Sequence, residues 1–278
     1  MAGSPTPAPL KRRTTIKKEI ADAVAGVLIR AKRALFITGA GLSADSGLPT
    51  YRGIGGLYAD ADPDEGLPIE TLLSGEMMRE KPEVTWKYIH QVELACRGAE
   101  PNRGHTILAD LDKKLARVVI FTQNVDGFHR AAGSENVIEI HGNIHDLRCT
   151  RCAWHTHVTD FSRLALPPKC PECRAIVRPD VVLFGEALPS GPFARFEDEL
   201  ARGFDVVFSI GTSSLFPYIA RPVLVAKSEG IPTVEINPGK TELSDVVDYR
   251  IQATAKTALR AIWTAYRALT PHRTQIGR

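Results

Sequence analysis

The stretch 36–52, FITGAGLSADSGLPTYR, limits what this chain can fold into more than any other, because a short apolar run passes there straight into a glycine-rich turn. Residues 34–38 have the pattern of a brief buried strand, and Gly39, Gly41 and Ala44 follow with the spacing G-x-G-x-x-A. That spacing suits a turn that carries a dinucleotide at the end of a parallel strand. Gly39 permits the tight turn, Gly41 lacks the side chain that would block a pyrophosphate, and Ala44 lets the next helix pack closely against the strand. Glycine turns after strands are also common as plain connections. The extension argues for a ligand: Ser43, Ser46 and Gly47 add hydroxyls and freedom, and Pro49-Thr50-Tyr51-Arg52 carries the chain on to a cation.

The chain has 278 residues, enough for one large domain or one domain with a small insert. With 44% hydrophobic and 24% charged residues it reads as globular, so disorder is excluded for most of its length. A net charge of +3 is too small to argue for a nucleic-acid partner. No run approaches the roughly 18 apolar residues of a membrane span, and the first residues, MAGSPTPAPLKRR, lack the apolar region of a signal peptide. A cytoplasmic location is therefore expected, with no membrane partner and no direct binding to nucleic acid. Lys11, Arg12, Arg13, Lys17 and Lys18 form a small basic cluster that reads as a solvated arm.

Residues 1–14, rich in Pro, Ala and Thr, read as a flexible arm, and apolar spacing predicts an amphipathic helix over 16–33. The stretch 53–68 reads as a long loop; directly after a phosphate turn it is expected to act as a lid over a cofactor. Helical spacing recurs over 69–98 and 106–115, and Cys96 reads as a buried small hydrophobe. The run RVVIFT at 117–122 is a strand of the kind buried on both faces, and it ends in Gln123-Asn124-Val125-Asp126. Further short strands are expected at 137–140, ending in His141-Gly142, and at 181–184, closing on Gly185-Glu186. Two more are expected at 204–210, ending in Gly211-Thr212-Ser213-Ser214, and at 232–236, ending in Asn237. A last strand at 248–252 and helices over 197–202 and 256–269 complete the alternation. Polar residues just past the carboxyl ends of parallel strands are where open α/β sheets place ligands.

Cys149-x2-Cys152 and Cys170-x2-Cys173 are separated by 17 residues. Two such pairs supply four thiolates, the tetrahedral set of one structural zinc, and leave no open position for water. His145, His155 and His157 lie close by in sequence, but the cysteine set is complete without them. The segment between the pairs has too little core to fold alone, so the metal contributes to its folding. Five cysteines, four of them paired in this way, fit a reducing compartment better than a disulfide framework. The expected fold is α/β: a Rossmann-like parallel-sheet domain with helices on both faces, formed by 15–52, 106–145 and 178–278. Inserted in it are a zinc-binding module at 146–177 and, at 53–105, the cofactor loop and the helical part of a small domain.

The motifs GAGLSADSG, TQNVDGFH, His141-Gly142, the double C-x-x-C, VVLFGE, GTSS and IN occur in this order, and over roughly residues 16–270 the chain resembles the sirtuins, the NAD-dependent protein-lysine deacylases. The resemblance implies that Gly39, Ala40, Gly41 and Ser43 form the pyrophosphate-binding turn, with Tyr51 and Arg52 in the cofactor loop. It implies that Gln123, Asn124 and Asp126 serve the cofactor ribose and the nicotinamide pocket, Asn124 and Asp126 taking part in catalysis, and that His141 is the general base. Gly211, Thr212, Ser213 and Asn237 match the adenosine-binding positions. Val182, Phe184, Gly185 and Glu186, together with His141, match the segment that lines the acyl-lysine tunnel and pairs with substrate backbone. The implied partners are acyl-lysine-containing proteins or peptides.

These residue types suit that chemistry. An amide oxygen is a poor nucleophile, so its capture requires an electrophilic sugar carbon, which NAD, a co-substrate, supplies when nicotinamide leaves. A site that holds nicotinamide away from water through Asn124 and Asp126 favours that departure. A base must then deprotonate a ribose hydroxyl, and an imidazole that titrates near neutrality suits the step. The products are free lysine, nicotinamide and O-acyl-ADP-ribose.

The chain departs from the family's usual Pro-Asp-Phe-Arg at Thr50 and Tyr51. In sirtuins that prefer acidic acyl groups, a Tyr and an Arg bind the distal carboxylate; the aligned positions here are Ile89 and Val92, an apolar wall, so uncharged acyl groups are expected. Two alternatives stay open: mono-ADP-ribosyl transfer to a protein, against which His141 argues, and a module that senses NAD or ADP-ribose without turnover. A zinc-containing hydride-transfer dehydrogenase is excluded by the closed cysteine set and by the missing acidic residue at the end of a second strand.

Overall fold

The structure, a computed structural model, describes residues 16–50 and 66–270. Tyr51, Arg52, the expected lid as far as residue 65 and the arm at 1–14 lie outside the described residues. The first half runs α1 Lys18–Arg30, β1 Arg33–Thr38, α2 Ala40–Ser43, α3 Ile69–Leu72, α4 Gly75–Glu80, α5 Pro82–Cys96, α6 Arg103–Asp112, β2 Arg117–Thr122, α7 Phe128–Ala131 and β3 Val137–Glu139. The second half runs β4 Gly142–Cys149, β5 His155–His157, β6 Val177–Val181, α8 Ser190–Ala201, β7 Val206–Ile210, α9 Pro217–Ser228, β8 Thr233–Ile236, β9 Tyr249–Ile251 and α10 Ala255–Leu269.

Successive residues of the central strands point into two different cores. Ala34 and Phe36 of β1 pack with residues of α1, α6 and α10, whereas Leu35 and Ile37 pack with residues of α8 and α9. Val118 and Ile120 of β2 join the first core, Val119 and Phe121 the second. Burial on both faces is why these strands read as unbroken apolar runs. Aromatic pairs fill both layers: Phe36 lies against Phe208 with ring centroids 4.7 Å apart, and Phe121 stacks on Phe196 at 3.7 Å.

The six-stranded sheet has the order β3-β2-β1-β7-β8-β9, and every pair in it is parallel. From β1 the chain steps outward through β2 and β3, and from β7 it steps outward in the other direction. The carboxyl ends of β1 and β7 therefore form the switch point, where a crevice opens.

A second, antiparallel sheet, β5-β4-β6, carries the cysteine module. Trp86 of α5 is buried here; its indole N–H donates to the Val177 carbonyl at 3.0 Å and its ring meets Phe161 edge-on. The helical segment and the metal module thus share one apolar core, with Leu72, Ile89 and Leu147 among its members.

Several boundaries differ from the sequence reading for local reasons. The region 69–98 is three helices because Ser74 caps α4, its hydroxyl accepting the Met77 N–H at 3.0 Å, and Pro82 opens α5 where its missing N–H costs nothing. The stretch 181–184 is not a strand of the nucleotide sheet. Its first residue ends β6, and Phe184 makes an isolated bridge to Ser74. The helix expected at 197–202 begins earlier, at Ser190. Helix α9 was not foreseen, since Pro217 and Pro222 break its pattern; Pro217 occupies a first-turn position and Pro222 is buried within the helix. Among the described residues no helix is long and apolar enough to cross a membrane.

Candidate active site

The glycine turn closes onto the end of β7. Gly39 N–H donates to the Ile210 carbonyl at 3.0 Å and Gly41 N–H to the Gly211 carbonyl at 2.9 Å. A Cβ on Gly41 would lie 2.7 Å from Gly211 Cα, and Gly211 itself has φ +61°. The two glycines are therefore required by each other's backbone, a constraint additional to clearance for a pyrophosphate. Further along the rim, the Gln123 amide donates to Thr212 Oγ1 at 2.8 Å, and the Asn237 amide donates to the Thr212 carbonyl at 3.0 Å. Ser213 is exposed beside them. The residues expected to hold the adenosine half are brought together.

Below the turn lies a buried polar chain. The Asn124 amide donates to the Gly39 carbonyl and to Ser43 Oγ, both at 3.2 Å, and Ser43 O–H donates to Asp126 Oδ2 at 2.6 Å. Asp126 Oδ1 accepts the N–H of Phe128, the first residue of α7, at 3.0 Å. Burial raises the Asp126 pKa, and the Ser43 and Phe128 donors oppose that rise. Ser43, Asn124 and Asp126 line a small cavity with Ala40, Val92 and Cys96. A separate hollow lined by Lys114, Trp263 and Arg267 contains none of these residues. Burial, with the Asp126 charge adding to it, pushes the Cys96 thiol up to about 12, so it stays protonated and packs as a small apolar group. Val92 reaches the cavity, whereas Ile89 is buried in the core of the small domain.

His141 follows β3 and precedes β4. Its Nδ1 lies 3.0 Å from the Gln123 carbonyl, which can only accept, so Nδ1 carries the proton and Nε2 the lone pair. Burial lowers its pKa, partly offset by the Gln123 contact, and so favours the neutral ring. The next residue must be glycine: Gly142 has φ +78°, and a Cβ there would sit 1.8 Å from the Asp180 carbonyl oxygen. Tyr218, which sequence reasoning missed, places its hydroxyl 2.8 Å from Nε2. No local signal marks it, because it sits in the unforeseen helix α9.

Val182 N–H donates to the His141 carbonyl at 3.0 Å, and Phe184 exchanges backbone bonds with Leu73 and Gly75, each at 3.0 Å. This ties the segment 182–186, including Gly185, between His141 and α4. The Glu186 carboxylate is engaged by Arg178 at 2.6 and 2.9 Å and by the Leu183 N–H at 2.9 Å. Burial opposes its ionisation, and Arg178 and Leu183 outweigh that, holding the carboxyl below its usual range. Its side chain braces the segment internally.

The four cysteines converge. Cys149, Cys152, Cys170 and Cys173 place their sulfurs all within 4.8 Å of one another, with Cys149–Cys173 at 3.4 Å and Cys152–Cys170 at 3.6 Å. Tetrahedral thiolate ligands about 2.3 Å from a zinc ion stand roughly 3.8 Å apart, so the donor set fits one zinc. The Arg151 and Cys152 N–H groups point at Cys149 Sγ, 3.3 and 3.4 Å away, as donors to a ligating thiolate. His157 is instead paired with Asp146 at 2.7 Å, and none of the three nearby histidines joins the cluster.

A parallel sheet whose switch point gathers facing glycine turns, a buried amide–hydroxyl–carboxylate chain and a neutral imidazole, beside a four-thiolate module, defines a nucleotide-handling α/β enzyme. Residues 39–216 match the model of the Sir2 family, and the chain belongs to that family. It is 48% identical over 235 residues to NAD-dependent protein deacylase 2 of Pseudomonas aeruginosa, across 84% of this chain and 91% of that protein. Its fold is similar to that of a Sir2 homologue in complex with NAD, with TM-score 0.80 and 32% identity over 89% of this chain and 94% of that one. It is also similar to a Sir2 complex with a p53 peptide and NAD+, with TM-score 0.76 and 26% identity over 87% of this chain and 96% of that one.

Proposed function

We infer that the protein is an NAD-dependent protein-lysine deacylase, which moves the acyl group from lysine to ADP-ribose and releases nicotinamide and O-acyl-ADP-ribose. One observation carries this: His141 is held as a neutral base with its lone pair on Nε2, on the same rim as the glycine turn and the Asn124–Ser43–Asp126 chain. NAD supplies an electrophilic sugar carbon once nicotinamide departs. Gly39, Ala40, Gly41 and Ser43 face its pyrophosphate, and Gly211, Thr212, Ser213 and Asn237 its adenosine half. Asn124 and Asp126 orient nicotinamide in the cavity below and exclude water from it. His141 Nε2 then takes the proton of a ribose hydroxyl.

The segment at Val182, Phe184, Gly185 and Glu186 receives the acyl-lysine and its flanking backbone, so acyl-lysine proteins or peptides are the substrates. Cys149, Cys152, Cys170 and Cys173 would hold a structural zinc, with no position left open for water. Val92 at the cavity and buried Ile89 offer no charge to a distal carboxylate, which favours acetyl and other uncharged groups. A cytoplasmic location fits an unpaired, metal-suited cysteine set, and a net charge of +3 assigns no nucleic-acid partner.

The test is mass spectrometry of acetyl-, propionyl- and succinyl-lysine peptides incubated with the protein and NAD. Loss of acetyl with O-acetyl-ADP-ribose formed, abolished in His141→Ala, is the expected result. No turnover of any acyl peptide would overturn the reading, and rapid succinyl removal would overturn the acyl preference.

A further inference from the structure

The lone pair that His141 must use is already taken. Nδ1 commits the ring's proton to the Gln123 carbonyl at 3.0 Å, so the Tyr218 hydroxyl, 2.8 Å from Nε2, is the donor in that contact. Nε2 has one lone pair, which cannot accept a phenol proton and a ribose proton at once. We propose that Tyr218 is a displaceable cap on the base: its hydroxyl competes with the ribose hydroxyl for Nε2, and His141 acts only after the phenol has swung aside. The proposal rests on the deacylase reading above.

Which partner moves is set by how each is held. His141 keeps its tether at Nδ1, and its backbone is fixed: its carbonyl accepts the Val182 N–H at 3.0 Å, and Gly142 beside it packs against Asp180 too closely for any Cβ. Tyr218 is half-buried in the first turn of α9, and the residues before it, Leu215 and Phe216, are exposed. Its ring stacks on Phe216, centroids 5.6 Å apart at 16°, and meets His141 edge-on at 6.2 Å and 75°. Among the described residues, Nε2 is the hydroxyl's one hydrogen-bond partner. The next residue, Ile219, is fully buried in the second core, so α9 stays in place while the Tyr218 side chain changes rotamer.

A phenol suits this use because the exchange is like for like. One neutral hydroxyl donor leaves the lone pair and another takes it, so the cap lowers ribose occupancy only by the net worth of a neutral hydrogen bond, roughly two- to tenfold. Burial pushes the phenol up to about 12, so it remains a donor throughout the neutral range. While it stands on Nε2, the base cannot draw a proton from water either. The electrophilic sugar carbon therefore meets a working base only once its own hydroxyl has displaced the cap.

ADP-ribose carries the competing hydroxyls and is not consumed, so its affinity, read by titration calorimetry, reports the cap directly. Tyr218→Phe, which keeps the ring and its stack on Phe216, should bind ADP-ribose roughly two- to tenfold more tightly than the wild type. In a His141→Ala background, where no lone pair is contested, the same change should leave the affinity within about twofold. Unchanged binding in Tyr218→Phe would overturn the proposal, and so would weaker binding, which would make the phenol a cofactor contact. An equal gain with and without His141 would also overturn it, because the phenol would then act through another group. Acyl-peptide turnover reports on the other reading separately: a wild type that turns over no acyl peptide, yet shows the His141-dependent gain in affinity, loses the deacylase function and keeps the cap.

Discussion

The Ser43 hydroxyl favours the ionised form of Asp126 against the effect of burial, and Ser43→Ala tests that role. The carboxylate is buried, which raises its pKa, and two donors oppose the rise: Ser43 O–H at 2.6 Å and Phe128 N–H at 3.0 Å. Removing the hydroxyl leaves only the backbone donor. A hydrogen bond to a charged group is worth about 1.5–3 kcal/mol, and ~1.4 kcal/mol corresponds to a tenfold change in proton affinity. On the proposed function, the ionised form attracts the cationic nicotinamide ring, so losing this bond weakens the site toward acid. The acid limb of kcat/KM for NAD should therefore move upward by about one to two pH units, with the plateau at high pH partly restored. The assay is a pH profile of kcat/KM from 5 to 9 for wild type and Ser43→Ala. A uniform fall with an unmoved acid limb would refute the reasoning and leave Ser43 as a cofactor contact alone.

Two further outcomes concern stability. The cysteine module should contain one zinc per chain by elemental analysis, and stripping it with a strong chelator, or Cys170→Ser, should lower the melting temperature by ~10 °C or more; no zinc and an unchanged melt would refute the site. His105 and His129 are enclosed, their rings 5.1 Å apart, and His105 Nε2 and His129 Nδ1 find no hydrogen-bond partner among the described residues. Burial lowers His105 from 6.5 to about 4, and burial, with the neighbouring His105, holds His129 well below its usual value. Both stay neutral when folded and bind protons when unfolded, so stability is full above pH 6.5 and declines below it. The decline should reach up to ~1.4 kcal/mol per pH unit for each histidine, read from urea midpoints between pH 7 and 5. A flat profile there would contradict it.

What the sequence showed and what it hid follow the range of the interactions involved. The parallel strands were legible because burial on both faces leaves a continuous apolar run that needs no knowledge of the partner strand. The metal set was legible because two thiolates on one tight turn impose a spacing. Helix α9 was hidden by Pro217 and Pro222, whose local cost is offset by the burial of Ile219, Pro222 and Val223. The broken helix at 69–98 and the mixed role of 181–184 turned on a cap and on pairing with another sheet, which apolar spacing does not record.

The sequence by itself determined the chemistry available: which strand ends carry glycine, amide, carboxylate and imidazole, and that four thiolates stand in two pairs. Only the tertiary structure decided which of these groups meet. The order β3-β2-β1-β7 brings Gly41 against Gly211, Ser43 against Asp126 and His141 against Tyr218, the last two pairs separated by 83 and 77 residues of chain. The local pattern of each strand is the same whichever neighbour it takes. Sheet order follows from how helices cover both faces, and hydrogen bonds that span the rim exist only once that packing has formed.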